Sequence, residues 1–411
     1  MEELSRICSS AVDFGASSFR DIGQDIWRNP ELGLQEFHAN TILCNFFREN
    51  GFTVEEFLGP TGFRASYGST ENVDGDGVSG PPGVHVCLMA EYDALPELGH
   101  ATAHNLVSEA CVATAIGLKA AIDKKSSLGK VTILGTPDSE GNGKKMEAIK
   151  EGFFKDVDLA VTFIPFTCHV AKPIMLTIMR QTICFKGKAA HASTSPWDGR
   201  NALDAAILCY NNISVLRQQL KPYMQIHCII SNGGLRPNII PEQTEMKFYL
   251  RAPDHIEMAH LQQRADAAFK AAARATGCEL EIAFTPTPYS NLCNSSKLAA
   301  LYQEEAESLG CVFTTNEEMG GRLVGSSDSG NVSHVVPTIA PAFDIANAAS
   351  ATNTQSFAEL AGTEEAHNQT IVASKAMCKA LLKAMLDPGI LAGIKSDFEK
   401  DSCAASLTEW S

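Results

Sequence analysis

The segment that decides the fold is VHVCLMA at residues 84–90, followed at once by EYDALPELGHATAH at residues 91–104. An apolar run of this length predicts a strand that is buried on both faces of a sheet. The polar segment after it leads into an amphipathic pattern that predicts a long helix to about Lys124. A buried strand, a polar loop and a helix in this order are typical of an α/β fold, in which ligands bind at the carboxyl ends of the strands.

The same alternation extends to both sides of this segment. Apolar runs at residues 130–134 and 159–163 predict two more buried strands, with a helix from about Lys144 between them. Upstream, the first 50 residues predict helices, and short strands are expected near residues 52–56 and 63–67. Strands that alternate with helices predict a largely parallel sheet.

A different pattern begins at about residue 176 and predicts a separate module in the order β-α-β-β-α-β, which fits a ferredoxin-like fold. Its predicted elements are strand 177–186, helix 201–220, strands 225–230 and 245–251, a helix from its N-cap Asp254 to Gly277, and strand 279–284. After about residue 296 the α/β pattern returns. The sequence therefore predicts a discontinuous α/β domain at residues 1–178 plus 296–411, with an α+β domain inserted at residues 179–295.

Charge and composition exclude several classes of partner. The chain of 411 residues has 33 Lys and Arg against 48 Asp and Glu, a formal net charge of −15. An excess of this sign argues against nucleic acid or an anionic membrane as the main partner and favours a small molecule. No apolar stretch reaches the roughly 18 residues of a membrane span, and the N-terminal MEELS lacks the cationic lead of a secretory signal.

The 13 cysteines are scattered singly, without a CxxC pair. This spacing predicts free thiols in a reducing compartment rather than a disulfide framework. Together with the expected lack of a leader and of a membrane span, it predicts a cytoplasmic protein.

Polar clusters follow three of the predicted strands and mark a candidate site. They lie at residues 91–105, at GTPDSEGNG in residues 135–143 and at GSSDSGN in residues 325–331. The second cluster is not a phosphate-binding loop, because Asp138 stands where its first glycine is required and Lys145 where Ser or Thr is required. The chain also lacks GxSxG, so an α/β-type serine hydrolase is unsupported.

Motifs along nearly the whole chain resemble those of the aminoacylase/carboxypeptidase family of two-zinc exopeptidases, in its amidohydrolase branch and near its cytosolic dipeptidase-like members. The matching segments are NPELG at 29–33, YDALP at 92–96, GKAAHA at 187–192, PWDGRNA at 196–202, GG at 233–234 and PNIIP at 237–241. The resemblance implies a zinc-exopeptidase-like α/β domain. It also implies that the inserted ferredoxin-like domain is a lid through which two chains form a homodimer.

The metal-ligand motifs that this resemblance implies are changed in two loops. The family has GHACGH where this chain has GHATAH, so Thr102 replaces a cysteine ligand while His104 remains. The family's Glu-Glu pair, a general base followed by a metal ligand, is replaced by Ser139 followed by Glu140. Without the first glutamate, no group at that position takes the proton of an attacking water.

Two further ligand positions are also changed. Ile164 and Asn353 stand where the family has histidines. Catalytic zinc needs about three protein ligands from His, Cys or carboxylate, and Thr, Asn and Ile are poor ligands or none. The sequence therefore predicts a degenerate metal site with zinc absent or weakly bound, and no other cofactor.

The remaining polar residues are expected to share one cavity. The candidate catalytic residues are His104, Glu140, His191, Asp93 and Ser139, and the candidate substrate-binding residues are Asn238, Thr102, Asp138, Asn353 and Ser327. A histidine beside carboxylates is expected to titrate near neutrality and to exchange protons. The resemblance implies that His191 reaches the neighbouring subunit's site and polarises a substrate carbonyl, and that Asn238 holds the substrate's polar end.

Three functions remain open on the sequence. The first is a metal-independent enzyme of specialised metabolism that uses His104, Glu140 and His191 for proton transfer. It would perform condensation, cyclisation or isomerisation on a small amino, amide or imine-forming substrate, since such reactions need only acid–base groups in a closed pocket. The second is a residual amidohydrolase with a weak or rebuilt metal site. The third is a non-catalytic relative that binds a ligand or regulates a homologue.

Overall fold

The structure is a computed structural model that describes residues 1–71, 82–284, 288–315, 325–345 and 351–400. It consists of two compact units, Met1–Ile174 with Cys293–Ser411 and Met175–Leu292. The boundaries expected from the sequence, at 178/179 and 295/296, lie within four residues of these limits. The first unit is therefore discontinuous in sequence, and the second unit is inserted into it.

Strands and helices alternate along much of the chain. In chain order the strands are β1 (Thr53–Glu56), β2 (Phe63–Gly68), β3 (Val84–Ala90), β4 (Gly129–Gly135), β5 (Leu159–Val161), β6 (Ile164–Phe166), β7 (Thr177–Lys186), β8 (Gln225–Asn232), β9 (Gln243–Ala252), β10 (Glu279–Phe284), β11 (Thr338–Ile339) and β12 (Ala342–Asp344). The α-helices are α1 (Glu2–Arg28), α2 (Phe37–Glu49), α3 (His104–Lys124), α4 (Lys145–Lys150), α5 (Ala202–Leu216), α6 (His255–Thr276), α7 (Ser296–Ser308), α8 (Ser329–Val332), α9 (Gln355–Leu360), α10 (Glu364–Leu386) and α11 (Pro388–Lys400).

The first unit is built on a mixed six-stranded sheet in the order β1-β2-β4-β3-β5-β11. Strand β3 pairs in parallel with β4 and β5, and β5 pairs in parallel with β11, whereas β1 and β2 form an antiparallel edge. A second, two-stranded parallel sheet joins β6 to β12. Every residue of β3 is buried, as its apolar sequence predicts. The predicted α/β fold class is confirmed.

Helix α3 lies in the core of the first unit, against α1 and α10. By length and composition alone it is apolar enough to cross a membrane, although 83% of its most apolar window is buried inside the structure. The expectation that no segment reaches that length is therefore wrong. Small uncharged residues such as Ser108 and Thr114, both of them buried, interrupt the run of apolar letters but lower the mean hydropathy of the helix only slightly.

The second unit is an antiparallel sheet in the order β10-β7-β9-β8, covered by α5 and α6. This order and the β-α-β-β-α-β succession define the predicted ferredoxin-like module. Helix α6 begins where the sequence predicts, because the Asp254 carboxylate accepts the Glu257 N–H at 2.8 Å. It ends at Gly277, whose φ of 70° is the left-handed conformation that glycine adopts easily.

Most of the cysteines behave as expected from the sequence. Among the cysteines that the structure describes, eleven are free thiols, and burial raises the pKa of Cys8 to about 12. Cys293 is instead disulfide-bonded, so the prediction of free thiols throughout is wrong at this residue. Single spacing along the sequence does not exclude a disulfide bond. The cytoplasmic location stays a prediction.

Candidate active site

Parallel strands β3 and β4 end side by side and bring two acidic loops together. The two strands are paired in register up to their last residues. Glu91 and Asp93 follow β3 directly, and Glu140 lies in the loop after β4. Helix α3 begins at His104, which places the imidazole at the same edge. The carboxyl ends of the central strands therefore carry the candidate site, as is usual for an open α/β sheet.

The turn before α3 is strained. Ala103 precedes the helix in the left-handed conformation with φ 59° and ψ 37°, at the position where the resembled motif has glycine. A non-glycine residue held in this region costs about 1–3 kcal/mol. The buried surroundings of Ala103 maintain this turn, and the turn fixes the direction from which His104 enters the site.

His104 is held among three carboxylates. Its Nδ1 donates to Asp93 Oδ1 at 2.8 Å, and its Nε2 lies 3.2 Å from Glu91 Oε2 and 3.5 Å from Glu140 Oε1. The other oxygen of Asp93 accepts the Glu140 N–H at 2.8 Å. Three of the predicted catalytic residues, Asp93, His104 and Glu140, are thus in direct contact.

The charges in this contact shift the proton affinities of its members. Burial alone would lower the pKa of His104, but Asp93, followed by Glu91 and Glu140, raises it to about 10. Burial raises the pKa of Glu140, with His104 partly offsetting this effect. Burial would also raise the pKa of Asp93, yet His104 and the Glu140 N–H lower it. The expectation that His104 titrates near neutrality is therefore wrong, and the ring is a proton donor at pH 7.

A buried lysine extends the contact towards α4. The Lys145 ammonium is fully buried and donates to Glu91 Oε1 at 2.7 Å and to Asp328 Oδ1 at 2.5 Å. Asp328 also accepts the Lys145 N–H at 3.1 Å. A Cβ on Gly143 would lie 2.5 Å from Asp328 Oδ2, so the glycine leaves room for this carboxylate. We call Glu91, Asp93, His104, Glu140, Lys145 and Asp328 the acid–base cluster.

Ser139 lies beside this lysine. Its Oγ is 3.3 Å from the Lys145 Nζ and 3.4 Å from the Thr136 carbonyl oxygen. Attraction to Asp328 and Glu91 outweighs the burial of Lys145 and raises its pKa. A lysine that stays protonated donates to the serine oxygen and cannot remove the serine proton. Lys145 therefore does not activate Ser139 as a nucleophile.

Two predicted binding residues shape the loops around the cluster. The Asp138 carboxylate accepts the Asn142 N–H at 3.0 Å, and the Asp138 N–H donates to the buried Glu36 carboxylate at 2.8 Å. These bonds hold the turn after β4, where Asp138 has a φ of 59°. The Thr102 hydroxyl oxygen is buried and has no hydrogen-bond partner among the residues that the structure describes. Their roles towards a substrate stay predictions.

The other two predicted binding residues of this unit lie on neighbouring loops. The Asn353 N–H donates to the Ala101 carbonyl oxygen at 2.9 Å, so Asn353 is next to the loop that contains Thr102. Ser327 accepts the Ser329 N–H at 3.1 Å and directly precedes Asp328 of the cluster.

His191 and Asn238 belong to the second unit, where they are exposed neighbours. The Ala192 N–H donates to the Asn238 carbonyl oxygen at 3.1 Å. Nδ1 of His191 accepts the backbone N–H groups of Ser193 and Thr194, both at 3.3 Å. In the neutral ring this acceptor role leaves Nε2 as the hydrogen-bond donor.

Sequence reasoning missed three members of the cluster, namely Glu91, Lys145 and Asp328. Glu91 and Asp328 stand inside the polar segments that marked the site, so their place in segments expected to follow strands was the available signal. Lys145 had no such signal, because a lysine after a glycine-rich loop is usually solvated.

Comparison with known proteins identifies the class. A family model described as a peptidase dimerisation domain of the M20 peptidases matches residues 177–277. The Xaa-Arg dipeptidase of Mus musculus is 37% identical over 406 residues, which cover 97% of this chain and 93% of that protein. One of the p-aminobenzoyl-glutamate hydrolase subunits of Escherichia coli (strain K12) is 31% identical over 324 residues, which cover 74% of this chain and 65% of that protein.

A solved structure carries the same fold. A dinuclear metal-binding peptidase of the M20 family from Bacillus subtilis superposes with a TM-score of 0.66 at 18% identity, covering 91% of this chain and 99% of its own. The protein belongs to the M20 family of peptidases and amidohydrolases, as its full-length similarity to the mouse dipeptidase shows. The predicted family is confirmed, and the inserted unit carries the family's dimerisation domain.

At the positions where the resemblance implies metal ligands, the side chains of this chain do not fit a dinuclear metal centre. Ile164 has no donor atom, and Thr102 and Asn353 offer only neutral oxygens, which zinc binds poorly. His104 and Glu140 are the two suitable ligands left, and they contact each other. Among the residues that the structure describes, no group of three or more His, Cys, Asp or Glu side chains is arranged to hold a metal ion.

Proposed function

We propose that this protein is an enzyme of the amidohydrolase family that acts on a small substrate with an amide bond near a carboxylate, such as a dipeptide or an N-acyl amino acid. The observation that carries this proposal is the His104 imidazole held between carboxylates at the ends of β3 and β4. The names of two relatives, a dipeptidase for Xaa-Arg and a hydrolase for p-aminobenzoyl-glutamate, support this substrate class.

We further propose that the chemistry is proton transfer by the cluster, without a dinuclear metal centre. Nε2 of His104 lies 3.5 Å from Oε1 of Glu140, so a proton donor and a proton acceptor face each other. Such a pair serves any reaction that needs only acid–base groups, including condensation, cyclisation, isomerisation and slow amide cleavage. The replaced ligand positions Thr102, Ile164 and Asn353 support this interpretation over a two-metal mechanism.

Amide hydrolysis with a rebuilt metal site is the second candidate. The relatives favour it, because the activities in both names are hydrolytic. The dipeptidase also matches nearly the whole chain at 37% identity. The experiment that separates the two is turnover of a panel of dipeptides ending in arginine, and of p-aminobenzoyl-glutamate, with and without chelator. A non-catalytic protein would bind members of this panel but convert none of them under either condition.

The purified protein is expected to carry well below one zinc per chain after dialysis against a weak chelator, which removes zinc held by surface thiols. The reason is that only His104 and Glu140 of the family's ligand set remain, and two ligands hold zinc weakly. Elemental analysis gives the metal content, and turnover in chelator shows whether it matters. About two zinc per chain, with activity lost on chelation, would establish the second candidate instead.

We also propose that the protein is a homodimer through the second unit, as the match to a peptidase dimerisation domain suggests. Strand β8 is the outer strand of its sheet, and Ile229 on it is 61% exposed. An exposed apolar edge strand needs a partner. Light scattering is expected to give about twice the chain mass of 44.1 kDa, and the proposed reach of His191 into a neighbouring site depends on that dimer.

A charge on this edge tests the dimer directly. Ile229→Glu is expected to shift the protein towards the monomer, because a carboxylate in an apolar interface loses its hydration. Phe14→Glu, at an apolar residue of the first unit that is 94% exposed, is the control and should stay dimeric. A monomeric wild type at micromolar concentration would remove both the dimer and the role of His191 across it.

A further inference from the structure

We propose that the Lys145 ammonium is the resident cation of the acid–base cluster, and that removing it opens the cluster to one divalent cation. This lysine thus takes the charge-balancing role that metal ions have in a dinuclear member of the family. The contacts of Lys145 with Glu91 and Asp328 support this role independently of any catalytic activity. The role depends on the proposed metal independence, because the ammonium replaces the positive charge of the metal.

The Lys145 ammonium bridges two buried carboxylates, unlike a lysine in a salt bridge on the surface. Its nitrogen lies 2.7 Å from Glu91, 2.5 Å from Asp328 and 3.3 Å from the Ser139 hydroxyl. The side chains of Lys145 and Asp328 are both 0% exposed, and that of Glu91 is 8% exposed. Three oxygens from three separate loops therefore converge on one buried cation.

The charge balance of the cluster requires this cation. Four carboxylates, those of Glu91, Asp93, Glu140 and Asp328, surround the imidazole of His104 and the ammonium of Lys145. A buried carboxylate is stable only when it is paired or protonated. Glu91 contacts both cations, through Oε1 to Lys145 and through Oε2 to His104. The lysine therefore also fixes the carboxylate that faces the imidazole.

Removal of the ammonium leaves a set of oxygen donors. Methionine has nearly the same stem as lysine but ends before the position of Nζ, so Lys145→Met leaves a gap about one atom wide beside Glu91, Asp328 and Ser139. Two carboxylates and a hydroxyl are the ligand types that Ca²⁺, Mg²⁺ and Mn²⁺ prefer. In the wild type the ammonium already occupies this position, and its positive charge would repel a second cation.

The test measures Mn²⁺ binding by the loss of the EPR signal of the free ion, together with the melting temperature with and without Mn²⁺. We expect Lys145→Met to bind about one Mn²⁺ per chain, at least about tenfold more tightly than the wild type, and to melt at a higher temperature when the ion is added. The matched control is Lys144→Met, because Lys144 is partly exposed and pairs with Glu147 on the surface. This control should behave as the wild type does.

A second variant keeps the test decisive if Lys145→Met does not fold. The double variant Lys145→Met with Asp328→Asn removes one cation and one carboxylate together, so it is expected to fold and to bind no Mn²⁺. Failure of both variants to fold would mean that the lysine acts by packing, and the proposal would be wrong. It would also be wrong if Lys145→Met folded without binding Mn²⁺, or if the wild type bound the ion equally well. None of these results bears on turnover, so they are separate from a failure of the proposed function.

Discussion

His104→Ala and Glu140→Gln are each expected to lower kcat/KM by at least about a hundredfold for any substrate of the panel that the wild type converts. Positioned general acids and bases contribute about 10²–10⁴-fold, and these two side chains face each other at 3.5 Å. The loss should be the same with chelator present, because the proposed chemistry routes no step through a metal. Steady-state kinetics on both variants, with circular dichroism to check the fold, measures this effect.

The matched control for this experiment is His169→Ala. His169 is also a buried histidine of the first unit, but it packs on Phe313 and accepts the Asp344 N–H at 3.4 Å, outside the cluster. It should keep nearly the wild-type kcat/KM. If both cluster variants kept wild-type turnover in chelator, His104 and Glu140 would be relics of a metal site and the chemistry would lie elsewhere.

Asp93→Asn is expected to destabilise the protein by about 3–5 kcal/mol, the usual cost of breaking a buried charge pair. Two donors converge on this carboxylate, the imidazole N–H of His104 and the backbone N–H of Glu140, both at 2.8 Å. An asparagine has one acceptor oxygen and one NH₂ group, so one of the two donors would face another donor. Urea unfolding of the variant and of the wild type measures the difference in the free energy of unfolding.

The same chemical change on the surface provides the comparison. Glu364 forms an exposed ion pair with Arg20 at 3.8 Å, and its side chain is 73% exposed. Because exposed pairs contribute about 0–1 kcal/mol, Glu364→Gln should leave the unfolding midpoint nearly unchanged. Equal midpoints for the two variants would show that Asp93 does not hold the cluster together.

Local patterns in the sequence determined most of the secondary structure. The apolar run at Val84–Ala90 is strand β3, and the N-cap Asp254 and the glycine at 277 bound helix α6. These signals are local, because burial on a sheet and the capping of a helix depend on neighbours within a few residues. Strands β6, β11 and β12 have two or three residues each. They were not predicted, because a segment that short has no measurable period and its pairing partner decides its conformation.

In the candidate site too, some features could be predicted from the sequence and others depend on the tertiary structure. His104, Asp93 and Glu140 could be predicted because they follow buried strands in recognisable motifs, and the sequence alone identified the changed residues at the ligand positions. The raised pKa of His104 could not be predicted, since it depends on three carboxylates from the two loops that follow β3 and β4. The role of Lys145 was also hidden, because its partner Asp328 is 183 residues away. Which charges neutralise one another inside a protein is set by which loops the sheet brings to one edge, and only the tertiary structure decides that.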